Sequence, residues 1–235
     1  MMKGKLYLIP SMIGETEIDK VIPAGNREII LHLNEFIVEE VRTARRFLRK
    51  AGYMQDFATV KFYVYNEHSD PGDVLPVINS LLSGNDIGLL SEAGTPCIAD
   101  PGADIVRETH RNGIQVIPLT GPSSLLLALM ASGFNGQNFA FHGYLPVNKD
   151  ERMRSLKELE RKVYRENQTQ IFIEAPYRNL AMFESIKEAC SSETMLCIAC
   201  ELTIESESII TMSIREWKKH VPEINKRPAV FLLFK

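Results

Sequence analysis

Two stretches of small residues hold most of the chemistry this chain could do. Ser91-Glu92-Ala93-Gly94-Thr95-Pro96 follows the apolar run Ile87–Leu90, and Thr120-Gly121-Pro122-Ser123-Ser124 follows the apolar run Ile114–Pro118. Glycine and other small residues at a turn let backbone N–H and C=O groups come close to a ligand. Helically spaced segments come next, Pro101–Asn112 after the first turn and Pro122–Ala131 after the second. Strand, small-residue loop and helix, repeated, predicts an open α/β sheet whose loops gather at the carboxyl ends of the strands, where ligands bind. Ser11-Met12-Ile13-Gly14, after the apolar run Lys5–Pro10, is a third loop of this kind.

Other reactive residue types point to less. Ser123 and Ser124 could suggest a nucleophile, but no histidine falls in a loop near them, and serine at this place caps a helix well. Cys197 and Cys200 form a C-x-x-C inside the apolar run Met195–Cys200. In a strand, residues three apart point to opposite faces, so these two do not converge on a metal. No second cysteine pair has zinc spacing, the five histidines are scattered, and no metal is expected. Walker, G-x-G-x-x-G and G-x-S-x-G motifs are absent. A net charge of −3 gives no global nucleic-acid footprint. Two local ones remain: Arg42, Arg45, Arg46, Arg49 and Lys50 crowd one helix, and Lys149, Arg152, Arg154 and Lys157 open another. Each is either a solvated helix face or a phosphate-contacting one.

Several elements must position these loops. Before the two central units, strands are expected at Lys5–Pro10, Phe36–Glu39 and Thr59–Tyr65, with helices at Arg27–Leu33, Val41–Ala51 and Asp73–Ser83. This alternation predicts a mostly parallel sheet in an N-terminal α/β domain over 1–133. The polar break Gly133–Asn138 then marks the expected boundary. A C-terminal α/β domain over 134–235 follows, with strands at Phe139–His142, Gln170–Glu174, Met195–Cys200, Glu207–Met212 and Ala229–Phe234. Helices there are expected at Asp150–Asn167, Pro176–Ala189 and Ser213–His220. These strands follow one another closely, which predicts a mixed sheet. No apolar run approaches ~18 residues, so no transmembrane helix is expected. The N-terminus reads as a strand and not a signal peptide, which leaves the cytoplasm as the default location.

In order along the chain, Leu6–Pro10 with Ile13-Gly14, Ser91–Pro96 with Asp100-Pro101-Gly102, Pro118 with Gly121–Ser124, Gly143-Tyr144-Leu145-Pro146, Glu174–Arg178 and Glu201-Leu202-Thr203 form a recognisable series. With it the chain resembles the tetrapyrrole methylase superfamily of S-adenosylmethionine-dependent methyltransferases, and within it the 16S ribosomal RNA cytidine 2′-O-methyltransferases. The resemblance spans nearly the whole chain. It implies two α/β domains with S-adenosylmethionine in a cleft between them, a homodimer, and a methyl acceptor in ribosomal RNA or the small ribosomal subunit. It places cofactor contacts at Pro10, Ile13, Gly14, Glu92, Ala93, Gly94, Thr95, Pro96, Ser123, Ser124, Leu145, Pro146, Glu201, Leu202, Pro228 and Ala229. Acceptor contacts are expected at Arg42, Arg45 and Arg46 of the basic helix and at Arg178.

A hydroxyl acceptor must also lose a proton. Glu39 (or its neighbour Glu40), Asp100 and Glu201 are the candidate bases, each with an ordinary structural use: Glu39 and Glu40 at a helix start, Asp100 as an N-cap before Pro101. The family's acceptor motifs are altered here. P-x-P-I-G-N-L becomes Pro10–Thr16, E-D-T-R-H-T becomes Glu39–Ala44 with the arginine kept and the histidine lost, and E-L-T-K ends in Ile204. No further C-terminal domain is expected after the last strand. A tetrapyrrole or other small acceptor, or a degenerate relative that binds cofactor without catalysis, are the competing readings.

Overall fold

The structure is a computed structural model and describes residues 2–235. The chain divides into two compact units, Met1–Ser123 and Ser124–Lys235.

In the first unit β1 (Lys5–Ile9), α1 (Ala24–His32), β2 (Glu35–Val38), α2 (Val41–Lys50), β3 (Lys61–Val64), α3 (Val74–Leu82), β4 (Ile87–Leu90), α4 (Ala103–Arg111) and β5 (Gln115–Pro118) alternate along the chain. The five strands lie in the order β3-β2-β4-β1-β5 and every pair is parallel. A parallel sheet needs cover on both faces, which is why its strands read as near-continuous apolar runs. Ile9, Phe36, Val38 and Leu90 pack against Ile30 of α1 and Ala44 and Phe47 of α2. On the other face Leu6, Ile37, Ile87 and Leu89 meet Val77 and Leu81 of α3 and Ile105 of α4. β1 and β4 are neighbours, yet the chain leaves β1 toward β2 and leaves β4 toward β5. The loops after these two strands therefore flank the place where the strand order reverses, which in open α/β sheets is the ligand crevice.

The second unit contains α5 (Ser124–Ser132), β6 (Phe139–Tyr144), α6 (Lys149–Glu166), β7 (Thr169–Ile173), α7 (Asn179–Ala189), β8 (Met195–Cys200), β9 (Ser208–Ser213), α8 (Ile214–Trp217) and β10 (Ala229–Phe234). Its strand order is β6-β7-β10-β8-β9; β6 and β7 run parallel and the remaining pairs antiparallel, so the sheet is mixed. Alternation sorts the side chains. Phe172, Phe231 and Leu233 face α6, α7 and Trp217, while Ile171, Val230 and Leu232 face Ala128 and Leu129 of α5. Cys200 lies in the first of these cores and Cys197 in the second, as the strand period requires. Trp217 is fully buried and its Nε1–H donates to the Leu196 carbonyl at 2.9 Å.

The structure differs from the sequence expectations in several places. The division falls after Ser123, because α5 packs beneath the second sheet; Gly133–Asn138 lies inside that unit. The helix expected from Pro101 starts at Ala103, and its N-cap is Gly102 in the left-handed region at φ 119°. Asp100 is thus not a helix cap. β6 runs on through Gly143 and Tyr144, with a register shift between Phe141 and Tyr144. The helix expected from Pro176 opens as a 3-10 turn, Pro176–Arg178, before α7.

Phe231 stacks on Phe172 at 5.7 Å between ring centroids, inside the core of the second unit. Phe231→Ala is expected to destabilise that unit by about 3–5 kcal/mol. Urea unfolding followed by Trp217 fluorescence, which reports this unit, checks it.

Candidate functional site

The three loops expected to bind ligand do come together at the carboxyl ends of the first sheet. Past the strand ends the backbone ladder continues: Ser91 N–H donates to Ile9 O at 3.2 Å, Leu119 N–H to Leu8 O at 3.0 Å, and Ser11 N–H to Gly94 O at 2.9 Å. Gly94 sits at φ 78°, a conformation that side chains oppose. Gly121 packs so closely that a Cβ there would lie 2.2 Å from Cγ of Pro10. The buried Asn26 holds the loop after β5 by donating Nδ2–H to Thr120 O at 2.7 Å. Pro10, Ile13, Gly94 and Gly121 form one locked cluster. Pro96 is buried and Thr95 half-buried beside it in the sequence. Ser123 ends the first unit, and Ser124 opens α5 in the second.

A recess of about 290 Å³ lies between the loop after β1, the loop after β4 and α2. Ile13, Gly14, Glu92 and Ala93, all expected at a ligand, line it. Thr43 Oγ1–H donates to Glu92 Oε1 at 2.6 Å across its side. The basic helix divides into two roles. Arg46 and Lys50 line the recess, Lys50 in an ion pair with Glu15 at 2.5 Å that holds the Glu15 carboxyl below its usual range. Arg45 lies over the rings of Phe57 and Phe62, and Arg49 lies 4.1 Å over Phe57 and donates to Tyr53 O. Those two serve packing. Arg42 is exposed at the first turn. Arg178, also expected at the acceptor, is bound in its own unit to Glu174 at 2.6 Å. In the second basic cluster Arg152 is buried and donates to Ser185 Oγ and Val147 O, a structural use.

The adjacent acids Glu39 and Glu40 have opposite fates. Glu40 caps α2, its two carboxylate oxygens accepting from the N–H groups of Arg42 and Thr43 at 2.9 Å. Glu39 instead lines a small crevice with Asp100, Tyr65 and Leu89. Burial pushes the Glu39 carboxyl up to about 8, helped by a hydrogen bond with Asp100 and by the charges of Asp100, Glu92 and Glu67. The two candidate acids of the first unit are thus brought together as a pair that holds a proton.

In the second unit Leu145, Leu202 and Ala229 are buried in the cores, so a ligand could use only their backbone. Pro146 O accepts from Arg152, and Pro228 O from Glu201 N–H at 2.9 Å. Glu201 and Thr203 take the left-handed region at φ 51° and 74°. Arg227 fixes this loop, donating to Glu201 Oε2 at 2.5 Å and to Ser206 O at 3.1 Å. That bond holds the Glu201 carboxyl below its usual range, which makes it a poor proton acceptor. Sequence reasoning missed Arg227, which supplies a cation beside the loop where Ile204 cannot; no local spacing links positions 201 and 227.

Backbone approach is what this cluster allows. Gly94 and Gly121 keep side-chain bulk off the loop backbones, which suits a cofactor recognised without a nucleotide fingerprint. Solved methyltransferases have the same architecture. The methyltransferase CobJ superposes with a TM-score of 0.64 at 13% identity, covering 100% of this chain and 95% of that one. The uroporphyrin-III C-methyltransferase from Thermus thermophilus complexed with S-adenosylhomocysteine superposes with a TM-score of 0.58 at 14% identity, covering 99% and 98%. At such identity these show the fold. The family model of the tetrapyrrole (corrin/porphyrin) methylases matches residues 27–218, and the chain belongs to that family. It is therefore an S-adenosylmethionine-dependent methyltransferase. Among curated relatives, it is 30% identical over 222 residues to the ribosomal RNA small subunit methyltransferase I of Vibrio cholerae, covering 94% of this chain and 73% of that one. It is 32% identical over 213 residues to the protein of the same name from Bacillus subtilis, covering 91% and 68%.

Because Glu39 titrates near 8 when folded and near 4.5 when not, the folded state holds the extra proton between those values. Its contribution to stability is full below about pH 4.5 and is lost as pH rises through about 8. Glu39→Gln is expected to remove this loss, so thermal midpoints of the wild type should fall relative to the variant between pH 5 and 9.

Proposed function

We propose that this methyltransferase acts on RNA of the small ribosomal subunit, with a ribose 2′-hydroxyl as acceptor. The observation that carries the reading is the placement of Arg46 and Lys50 of α2 at a recess beside the ligand loops. The names of the curated relatives support it. The same kinship supports a cytoplasmic homodimer. No helix among the described residues is long and apolar enough to cross a membrane.

When bound, the cofactor supplies an activated methyl group on a sulfonium. The chain's own work is then alignment and proton removal. The loops after β1, β4 and β5 hold fixed positions through the Ser11–Gly94 bond and the Gly121–Pro10 contact. Alignment of this kind is worth ~7–11 kcal/mol in well-oriented reactions. The Glu39–Asp100 pair would take the proton that the acceptor hydroxyl must lose. With the Glu39 carboxyl pushed up to about 8, proton acceptance improves as Glu39 ionises. Glu201, ion-paired with Arg227, keeps its loop in place.

Labelled cofactor incubated with small ribosomal subunits that lack modification is expected to transfer label to their RNA. No transfer to any RNA removes the acceptor assignment. Gly121→Ala, which drives a Cβ into Pro10, is expected to weaken S-adenosylhomocysteine about tenfold in calorimetry, the scale of an overpacking cost. Unchanged affinity would show that this loop does not hold the cofactor.

A further inference from the structure

Each sheet has two outer strands, and β3, β5 and β6 are all built to refuse a further neighbour. β3 and β5 are four residues long and carry Lys61 and Pro118. β6 breaks register between Phe141 and Tyr144, with Gly143 at φ 64°. Short length, lysine, proline and bulges are the usual protections of a sheet edge. β9 has none of them. Its six residues, Ser208–Ser213, hold one unbroken register with β8, and Ser-Ile-Ile-Thr-Met-Ser carries no charge and no proline.

The ladder shows which backbone groups of β9 are free. Ile214 N–H donates to Thr194 O at 2.9 Å, just past the end of β9 on the β8 side. Residues of an antiparallel strand alternate between bonding to their partner and facing away from it. Met212, Ile210 and Ser208 therefore bond to β8, while Ile209 and Thr211 turn N–H and C=O outward. Among the described residues no other backbone group meets them. The side chains agree with this order. Thr211 Oγ1–H donates to Ser132 O of α5 at 3.0 Å, and Ile209 packs against the same core. Ile210 points to the opposite face, onto a recess of about 550 Å³ lined also by Ile198, Met212 and Val221. Ile210 is 42% and Val221 77% exposed, so this face leaves apolar surface in water.

The flanks of β9 select what covers it. Glu205 and Glu207 precede the strand, Lys218 and Lys219 follow it, and among the described residues these side chains make no ion pair. Arg215 and Glu216 are taken up by Glu193 and by the Ser213 cap. A second copy laid antiparallel about a twofold axis at Ile210 brings the acidic end of each strand toward the basic end of the other. The same register opposes Ile209 to Thr211, so their outward groups exchange hydrogen bonds, and sets Ile210 against its own counterpart. We infer that β9 pairs antiparallel with β9 of a second copy, joining the two second sheets into one, and that this edge is the contact face of the homodimer. The inference rests on the homodimer reading above and is independent of the methyl acceptor.

The test uses the full chain in sedimentation velocity over a range of concentrations, with the wild type expected as a dimer. Ile210 is exposed enough to accept a charge. Ile210→Lys sets like charges against each other at the axis, and Ile210→Glu does so with the other sign. Each should raise the dimer dissociation constant about tenfold. An equimolar mixture of the two should associate more tightly than either alone, because position 210 meets itself only in this register. Thr211→Pro removes an outward N–H that β8 does not use; it should weaken the dimer while Trp217 fluorescence stays that of the wild type. A wild-type dimer left intact by both charged variants would overturn this face and leave the homodimer standing. A mixture no tighter than its separate components would overturn the face as well. A wild type that stays monomeric would overturn both the homodimer and this inference, leaving the edge to a strand from another protein.

Discussion

One backbone hydrogen bond, from Ser11 N–H to the Gly94 carbonyl, fixes how the ligand loops of the first unit are arranged. It extends the pairing of β1 and β4 beyond their last residues, at the place where the strand order turns back on itself. With the ends of β1 and β4 tied, the chain after β1 must pass between the loop of β4 and that of β5. Gly121 makes this passage possible by presenting no Cβ to Pro10. The recess exists because the tie holds the two loops at a set distance while α2, packed through Ala44 and Phe47, closes the third side.

Around this point, charge is used in three physically different ways. Some charges are spent on packing, as when Arg45 and Arg49 lie on aromatic rings and Arg152 is buried under two carbonyls and a hydroxyl. Others are spent on backbone, as when Glu40 caps α2 and Arg227 pins the Glu201 loop. What is left near the recess is a smaller set: Arg46, the Lys50–Glu15 ion pair and the Glu39–Asp100 pair. Side chains with the same sign and the same sequence neighbourhood therefore do unlike things, and their surroundings decide which.

Much of this was legible in the sequence because burial leaves a plain trace there. Ile87–Leu90 and Met195–Cys200 are buried along their whole lengths or nearly so, and both read at once as strands. Loops rich in glycine and small residues marked the ligand ends of those strands. α5 hid its allegiance: Ser-Leu-Leu-Leu-Ala-Leu-Met-Ala-Ser is apolar all round, so no stripe told which sheet it would cover. Asp100 before Pro101 has the look of a helix cap, but Gly102 with its positive φ took that place and left Asp100 to face Glu39. Residues that meet only in three dimensions, such as Arg227 with Glu201, leave no local trace at all.

The placement of β10 has a consequence for synthesis. It is the middle strand of the second sheet, flanked by β7 and β8, yet it lies beyond both in the chain. The first unit has all its strands by residue 118, and its sheet can close while translation continues. The second cannot: until residues 229–234 leave the ribosome, β7 and β8 each lack one strand partner and carry open edges. At ~5–20 residues per second, the nascent second unit stays in that exposed state for several seconds, the interval in which a chaperone has most to protect.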